Sequence, residues 1–322
     1  MLDRLPLWLS ALIKEILSIS FNLFKLMIPI IIIVKIIEEL GGIKYIGMAL
    51  EPIMQLVGLP AEMGLVWATT MITSIYGGMI IFATTAISEP LSIAQVTVLG
   101  SMMLFAHSLP IEVRIAQKAG VRIVYMLILR IGGALLLGLI LHYIYSSGAF
   151  LTEENTAIWK PQISSDTSLL GWVFSQIKTL FQVFLIIAVL VVFLKLLKVC
   201  HIERLLAYLL KPLLKILGLG KESTSITIIG ITLGLTYGGG LLINEAQNGK
   251  ISKMDVFGSL SLLAICHSII EDTLLIILLG ADITGALYLR VLLALIITSL
   301  VIRFAKKLSS ESFSRYFVYS SR

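Results

Sequence analysis

The sequence predicts an all-α polytopic membrane protein built from two inverted-topology repeats. Each repeat carries three transmembrane spans, an interfacial amphipathic helix and one re-entrant hairpin. Three observations lead there. The chain is oily: 58% of its 322 residues are hydrophobic and 14% charged, with a mean hydropathy of +1.00, where a soluble domain carries about 25% charged residues. Polar motifs recur at an offset of about 160 residues, the signature of an internal duplication. The charges at segment junctions reverse between the two copies.

Repeat one occupies residues 1–160 and repeat two 161–322. The opening stretch MLDRLPLWLSALIKEILS holds Lys14 and Glu15 inside its apolar run and lacks a small-residue cleavage site. It reads as a retained amphipathic helix rather than a signal peptide. Segment A (17–37 and 177–197) approaches the roughly 20 apolar residues needed to cross a bilayer core. Next come GGIKYIGMALEPIMQLVGLP and HIERLLAYLLKPLLKILGLG, whose apolar residues recur at helical spacing and suit a helix lying in the interface. Segment B (62–87 and 222–246) is rich in Thr, Ser and Gly. Segment C (91–118 and 252–280) carries a histidine near its middle, and segment D (120–145 and 283–303) an arginine. A polar linker from Ser146 to Ser168 joins the repeats.

The junction charges set the topology. The first C–D junction holds Arg114, Lys118 and Arg122, whereas the second holds Asp282 and no cation. The B–C junction reverses as well, with Glu89 in repeat one and Lys250 and Lys253 in repeat two. Basic flanks stay in the cytoplasm, so the signs agree if A, C and D cross while B enters and leaves on one side. Six spans and two re-entrant hairpins follow, with both termini cytoplasmic. If B spanned instead, the repeats would run parallel and several basic clusters would fall on the wrong side. The same flanks account for the net charge of +6, so no nucleic-acid partner is implied. Cys200 and Cys266 have no metal-knuckle spacing, and a disulfide framework is not expected.

The duplicated polar residues are the candidate site. Tyr76-Gly77-Gly78 is answered by Tyr237-Gly238-Gly239, one residue out of register, His107-Ser108 by His267-Ser268, Glu112 by Asp272 and Arg130 by Arg290. Glycine pairs break helices, and irregular backbone at membrane depth persists only where protein or a water-filled cavity satisfies it. The Tyr-Gly-Gly elements are therefore read as hairpin tips, the alternative being glycines that only allow close helix packing. Asn244 and Glu245 add polarity near the second break. His107 and His267 fall near mid-membrane if segment C is helical. His267 and Glu271 then share a helix face at i,i+4, and Glu271 has no counterpart because Ile111 occupies its position. Ionisable groups at that depth suggest function. His107 and His267 are assigned to substrate binding with the Tyr-Gly-Gly residues, Asn244 and Glu245, and Glu271, Asp272 and Glu112 to ion or proton coupling. Arg130 and Arg290 are expected to pair with Glu112 and Asp272 and lock each C–D hairpin. No local spacing resembles a metal motif, so no metal site and no cofactor are expected. No nucleophile elbow, phosphate loop or zincin helix appears, so no enzyme is expected.

The Tyr-Gly-Gly hairpin and the FAHSLPIE…R stretch resemble the nucleoside-recognition or Gate domain family. That family takes in spore maturation proteins A and B, parts of concentrative nucleoside transporters and the membrane region of ferrous iron transport protein B. One Gate domain is similar to residues 74–130 and a second to 236–290. The resemblance implies a bacterial inner-membrane protein with gate hairpins and a transport role. Repeat two carries HSIIED where repeat one has HSLPIE, and no soluble GTP-binding domain accompanies either. The reading is a secondary transporter of a small polar solute, nucleoside-like or a related metabolite, coupled to protons or another cation. A non-transporting scaffold of the spore-maturation type and a divalent metal permease are the alternatives. The expected partners are the lipid bilayer and a small-molecule or ion substrate, with a homo-oligomer left open.

Overall fold

The computed structural model describes residues 6–85, 90–159, 168–247 and 251–319. Among them the regular structure is helix, with two isolated bridges and no strand. Five helical stretches are long and apolar enough to cross a membrane: Leu7–Ile37, Ile93–Lys118, Ile123–Gly148, Leu169–Val199 and Thr284–Lys307. The chain is a multi-pass helical membrane protein.

Helix α1 (Leu7–Glu39) absorbs the expected N-terminal amphipathic stretch into one rod of 33 residues. At about 1.5 Å per residue it outruns a hydrocarbon core of roughly 30 Å. Its partner α9 (Leu169–Val199) is nearly as long, and Glu15 and Lys195 tie the two together at 2.6 Å. Only about a quarter of the apolar window of either rod is buried, against 83% for Ile93–Lys118. The two rods are therefore peripheral and the segment bearing His107 is central.

Each rod leads into a short amphipathic helix, α2 (Gly42–Leu56) and α10 (Ile202–Ile216). Both end the same way. Gly58 and Gly218 sit at positive φ, and Leu59 N and Leu219 N donate back to the carbonyls of Met54 and Leu214. This is a glycine C-terminal cap, and it supplies donors to carbonyls of the final turn.

Segment B is two short helices in each half, α3 (Met63–Ile72) with α4 (Ile75–Thr84) and α11 (Lys221–Leu233) with α12 (Leu235–Gln247). The chain breaks at Thr73–Ser74 and at Gly234, not at the glycine pairs. Ser74 is extended and its hydroxyl accepts from Gly77 N, opening α4 as an N-cap. Gly77 and Gly78 lie inside α4, where they make room for α3: a Cβ on Gly77 would stand 2.2 Å from Thr73 Oγ1, and one on Gly78 1.8 Å from Thr70 Oγ1. The expectation that these glycines interrupt the helix is thus corrected; they allow close packing.

Segment C is broken too. In the first half α5 (Ile93–Phe105) stops and α6 (Leu109–Lys118) restarts; in the second, α13 (Lys253–Ile265) is followed by α14 (Glu271–Leu278). The second break leaves 252–280 short of a single long helix, so the described residues give five long spans where six are expected. Segment D runs as α7 (Ile123–Leu127), a π turn (Ile128–Gly132) and α8 (Gly133–Gly148) in the first half. In the second it is a π turn (Thr284–Leu289) and α15 (Arg290–Lys307). The short α16 (Ser310–Tyr316) closes the chain.

The halves interlock. Helix α5 packs on the second π turn and α13 on the first, while α6 meets α12 and α14 meets α4. A Cβ on Gly100 would stand 2.2 Å from Ile276 and one on Gly285 2.4 Å from Thr97, so these contacts are backbone-close. At one end of the molecule the linker holds the start of α5, through Ile93 N to Glu153 O and Ala94 N to Leu151 O. Asn155 also donates to Leu279 O there. The C-terminal segment instead holds the turn after α6, through Arg122 N to Phe317 O and Tyr319 N to Gly120 O.

If Gly78 serves packing, Gly78→Ala should lower the stability of the detergent-solubilised protein by about 1–3 kcal/mol through overpacking. Adding Thr70→Ala should recover part of that loss, because the closest clash is with the threonine hydroxyl, while Met103 Cε also stands 2.8 Å from the added Cβ. A thermal unfolding series of the single and double variants measures both effects.

Candidate functional site

Both breaks in segment C fall at the histidines. Ser108 and Ser268 take left-handed backbone at φ 49 and 44, and this kink turns the chain between the two helices of each half. The serines are held by the segment B breaks. Ser108 N donates to Thr70 O at 3.1 Å and its hydroxyl to Thr73 O at 2.8 Å. In the second half Ile269 N donates to Ile231 O at 3.0 Å, and Gly234 leaves space for Ser268, whose Oγ would lie 2.8 Å from an added Cβ. The two interruptions of each half therefore satisfy one another.

A helix that stops inside a membrane exposes its last carbonyls, each costing several kcal/mol without a donor. His107 Nδ1 lies 3.1 Å from Met103 O and His267 Nδ1 2.6 Å from Leu263 O, each reaching back one turn. Arg130 Nε donates to Phe105 O at 2.9 Å and Arg290 Nη2 to His267 O at 2.8 Å. Both guanidiniums are completely buried. The acids sit on the other side of each break: Glu112 in the first turn of α6, Asp272 and Glu271 in that of α14. Cations at helix C-termini and anions at N-termini both suit the helix dipole.

The cluster closes across the halves. His107 Nε2 and His267 Nε2, 160 residues apart in sequence, stand 3.0 Å from each other. Glu112 Oε1 is 3.3 Å from the first and 3.2 Å from the second, while its Oε2 accepts from Arg130 Nη1. Asp272 Oδ2 lies 3.8 Å from His107 Nε2 and 3.9 Å from Arg290 Nη2. Tyr76 donates its hydroxyl to Glu271 Oε1 at 3.2 Å, a further link between halves. Among the described residues Asp272 Oδ2, Arg130 Nη2 and Arg290 Nε and Nη1 are buried without a hydrogen-bond partner.

The tautomers follow from chemistry. A carbonyl only accepts, so Nδ1 of each neutral histidine carries the hydrogen and Nε2 a lone pair. With both histidines neutral, two imidazole lone pairs and one carboxylate oxygen lie within 3.3 Å of one another with no donor among the three, and a proton on either Nε2 supplies one. This differs from the expectation of no metal-ligating set: His107, Glu112 and His267 bring their ligand atoms within 4.8 Å of one another. Local spacing could not reveal the set, because its members come from two halves of the chain.

The other candidates fall as follows. Glu112, Arg130, His107, His267, Asp272 and Arg290 are together, and Tyr76 and Glu271 adjoin them. The expected i,i+4 face for His267 and Glu271 is absent, since residues 266–270 are not helical, and Glu271 meets Tyr76 instead. Asn244 and Glu245 lie along α12, exposed and half-buried, roughly 15 Å of helix beyond Gly234. Tyr237, Gly238 and Gly239 fall in the first turns of α12, and their side chains lie outside the described residues. Sequence reasoning passed over Tyr125 and Tyr145, whose hydroxyls meet Ser261 Oγ at 2.7 Å and Thr284 Oγ1 at 2.9 Å across the halves. A tyrosine inside an apolar span was the available signal, since its hydroxyl needs a partner when buried.

No family model matches the chain, and no solved structure does. The chain is 26% identical over 296 residues to the uncharacterized membrane protein YvoD of Bacillus subtilis (strain 168), an alignment covering 89% of this chain and 92% of that protein. Similarity along almost the whole length of a membrane protein agrees with the apolar helices, and the buried ionisable cluster lies within a multi-pass membrane protein.

Proposed function

We propose that the chain is a secondary transporter of a small polar solute, nucleoside-like or a related metabolite, coupled to a cation seated at the His107–His267–Glu112 cluster. One observation carries this reading: two imidazole nitrogens and a carboxylate oxygen drawn from both halves converge within 3.3 Å of one another, a set suited to taking up a proton or a metal cation. A scaffold would pair its intramembrane polar groups internally. Arg130 Nη2 and Arg290 Nε and Nη1, buried without a hydrogen-bond partner, favour a site that exchanges partners. On this reading segment B forms two re-entrant hairpins of the Gate type, whose tips at Thr73–Ser74 and Gly234 flank the cluster, and the protein is not an enzyme.

The same reading takes the repeats as inverted. The two C–D turns are held by different ends of the chain. The turn after α6 is joined to the C-terminal segment with its Lys306 and Lys307, and the turn after α14 to the polar linker. Placing the basic turn and tail in the cytoplasm satisfies the positive-inside bias and puts Asp282 outside. The location that fits is a bacterial inner membrane with both termini cytoplasmic.

Two measurements test these readings. With Cys200 and Cys266 replaced, a single cysteine at Lys118 should react with an impermeant maleimide only from the cytoplasmic side and one at Asp282 only from outside. Labelling of both from one side would remove the inversion. In proteoliposomes screened against nucleosides, nucleobases and small carboxylates, His267→Gln and Glu271→Gln should each cut uptake about ten- to a hundredfold. That is the effect of losing one hydrogen bond to a charged group, about 1.5–3 kcal/mol. Full uptake by both folded variants would sink the site assignment.

A further inference from the structure

We propose that His107 Nε2, His267 Nε2 and Glu112 Oε1 form a facial three-ligand site for a divalent first-row metal ion of the zinc type, with Asp272 as the neighbouring fourth donor. The proposal rests on the cation-seat reading above and names the cation.

The geometry is that of a preformed triad. The three atoms are corners of a triangle with sides of 3.0, 3.2 and 3.3 Å. A tetrahedral ion with bonds of about 2.0–2.1 Å separates adjacent ligand atoms by about 3.3 Å, so little movement is needed to receive it. The imidazole ring centroids stand 4.9 Å apart with planes tilted by 55°, so the rings are not stacked face to face. Asp272 Oδ2 has no hydrogen-bond partner, is buried, and lies 3.8 Å from His107 Nε2.

The surroundings match what ligating groups require. Ligating histidines donate their other ring N–H to a carbonyl or carboxylate, and ligating carboxylates are held by a donor. Here both Nδ1 atoms face main-chain carbonyls, and Arg130 takes Glu112 Oε2 while leaving Oε1 toward the histidines. Imidazole nitrogen with carboxylate oxygen suits zinc and its first-row neighbours, rather than calcium or magnesium. Glu112 and Asp272 balance Arg130 and Arg290. The competing occupant is a single proton between the two Nε2 atoms. Carried on one Nε2, a proton leaves the other Nε2 and Glu112 Oε1 to share a single N–H, whereas one metal ion engages all three atoms directly.

The test uses the full chain in detergent, stripped with a chelator and titrated with Co2+, followed by Zn2+ competition. The expected result is one ion per chain with the absorption bands of four-coordinate cobalt, displaced by zinc. Affinity should fall on the order of 100-fold or more in H107Q and in H267Q, and remain in C266A, with folding of each variant checked by thermal unfolding. X-ray absorption of the zinc-loaded wild type should give nitrogen and oxygen at about 2.0–2.1 Å with imidazole scattering and no sulfur at about 2.3 Å. That measurement holds even if a histidine variant does not fold. Absence of stoichiometric binding, binding that survives H107Q/H267Q, or a sulfur shell from Cys266 each overturns the site. Solute uptake by a protein that binds no metal would leave the transport reading standing. Metal binding by a protein that moves no solute would leave the site and remove that reading.

Discussion

Helix ends inside hydrocarbon must find hydrogen-bond partners, and the centre of this protein is arranged around that need. Segment C stops at Phe105 in one half and at Ile265 in the other. Each stop leaves carbonyls buried in the protein interior, where water does not reach them. Arg130, Arg290 and the two Nδ1 atoms answer them, and the restarting helices carry Glu112 and Asp272 in their first turns. The charges thus have a structural reason before any functional one: each cation faces a helix C-terminus and each anion an N-terminus.

That arrangement also explains why the halves cannot be separated cheaply. The arginine of each half sits at a π turn that packs on the broken helix of the other half, and Glu112 meets the histidines of both. Close backbone approach at Gly100 and Gly285 keeps the two sets in register. Removing one partner leaves a charge buried without compensation, a larger penalty than the net contribution of the pair. The partly unpartnered guanidiniums are the exception, and they concentrate where two halves and four helix ends converge.

Sequence reading reached the helical membrane class because length and oiliness speak directly to a bilayer, and because repeated polar residues stand out in an apolar background. The duplication picked out His107, His267, Glu112, Asp272, Arg130 and Arg290. An equal offset says that two residues occupy equivalent places, not that they touch, so the Nε2 contact and the converging ligand set were invisible. The breaks were misplaced onto Gly77 and Gly78, since glycine is a generic breaker. What fixes the break at Thr73–Ser74 is a distant serine, Ser108, bonded to Thr70 and Thr73. Asn244 and Glu245 were drawn in by nearness in sequence, whereas α12 carries them away along its length.

The hydrogen bond from Tyr76 to Glu271 has no mirror image, because the residue equivalent to Glu271 is Ile111, which cannot accept. A duplicated machine with identical halves would be indifferent to which face it opened. In a transporter of the kind proposed, separating the first hairpin from α14 would break a bond to an acidic side chain that Ile111 cannot reproduce. A hydrogen bond contributes about 0.5–1.5 kcal/mol, enough to skew the two open states by about two- to tenfold. In such a transporter a single acidic residue would set the preferred resting side.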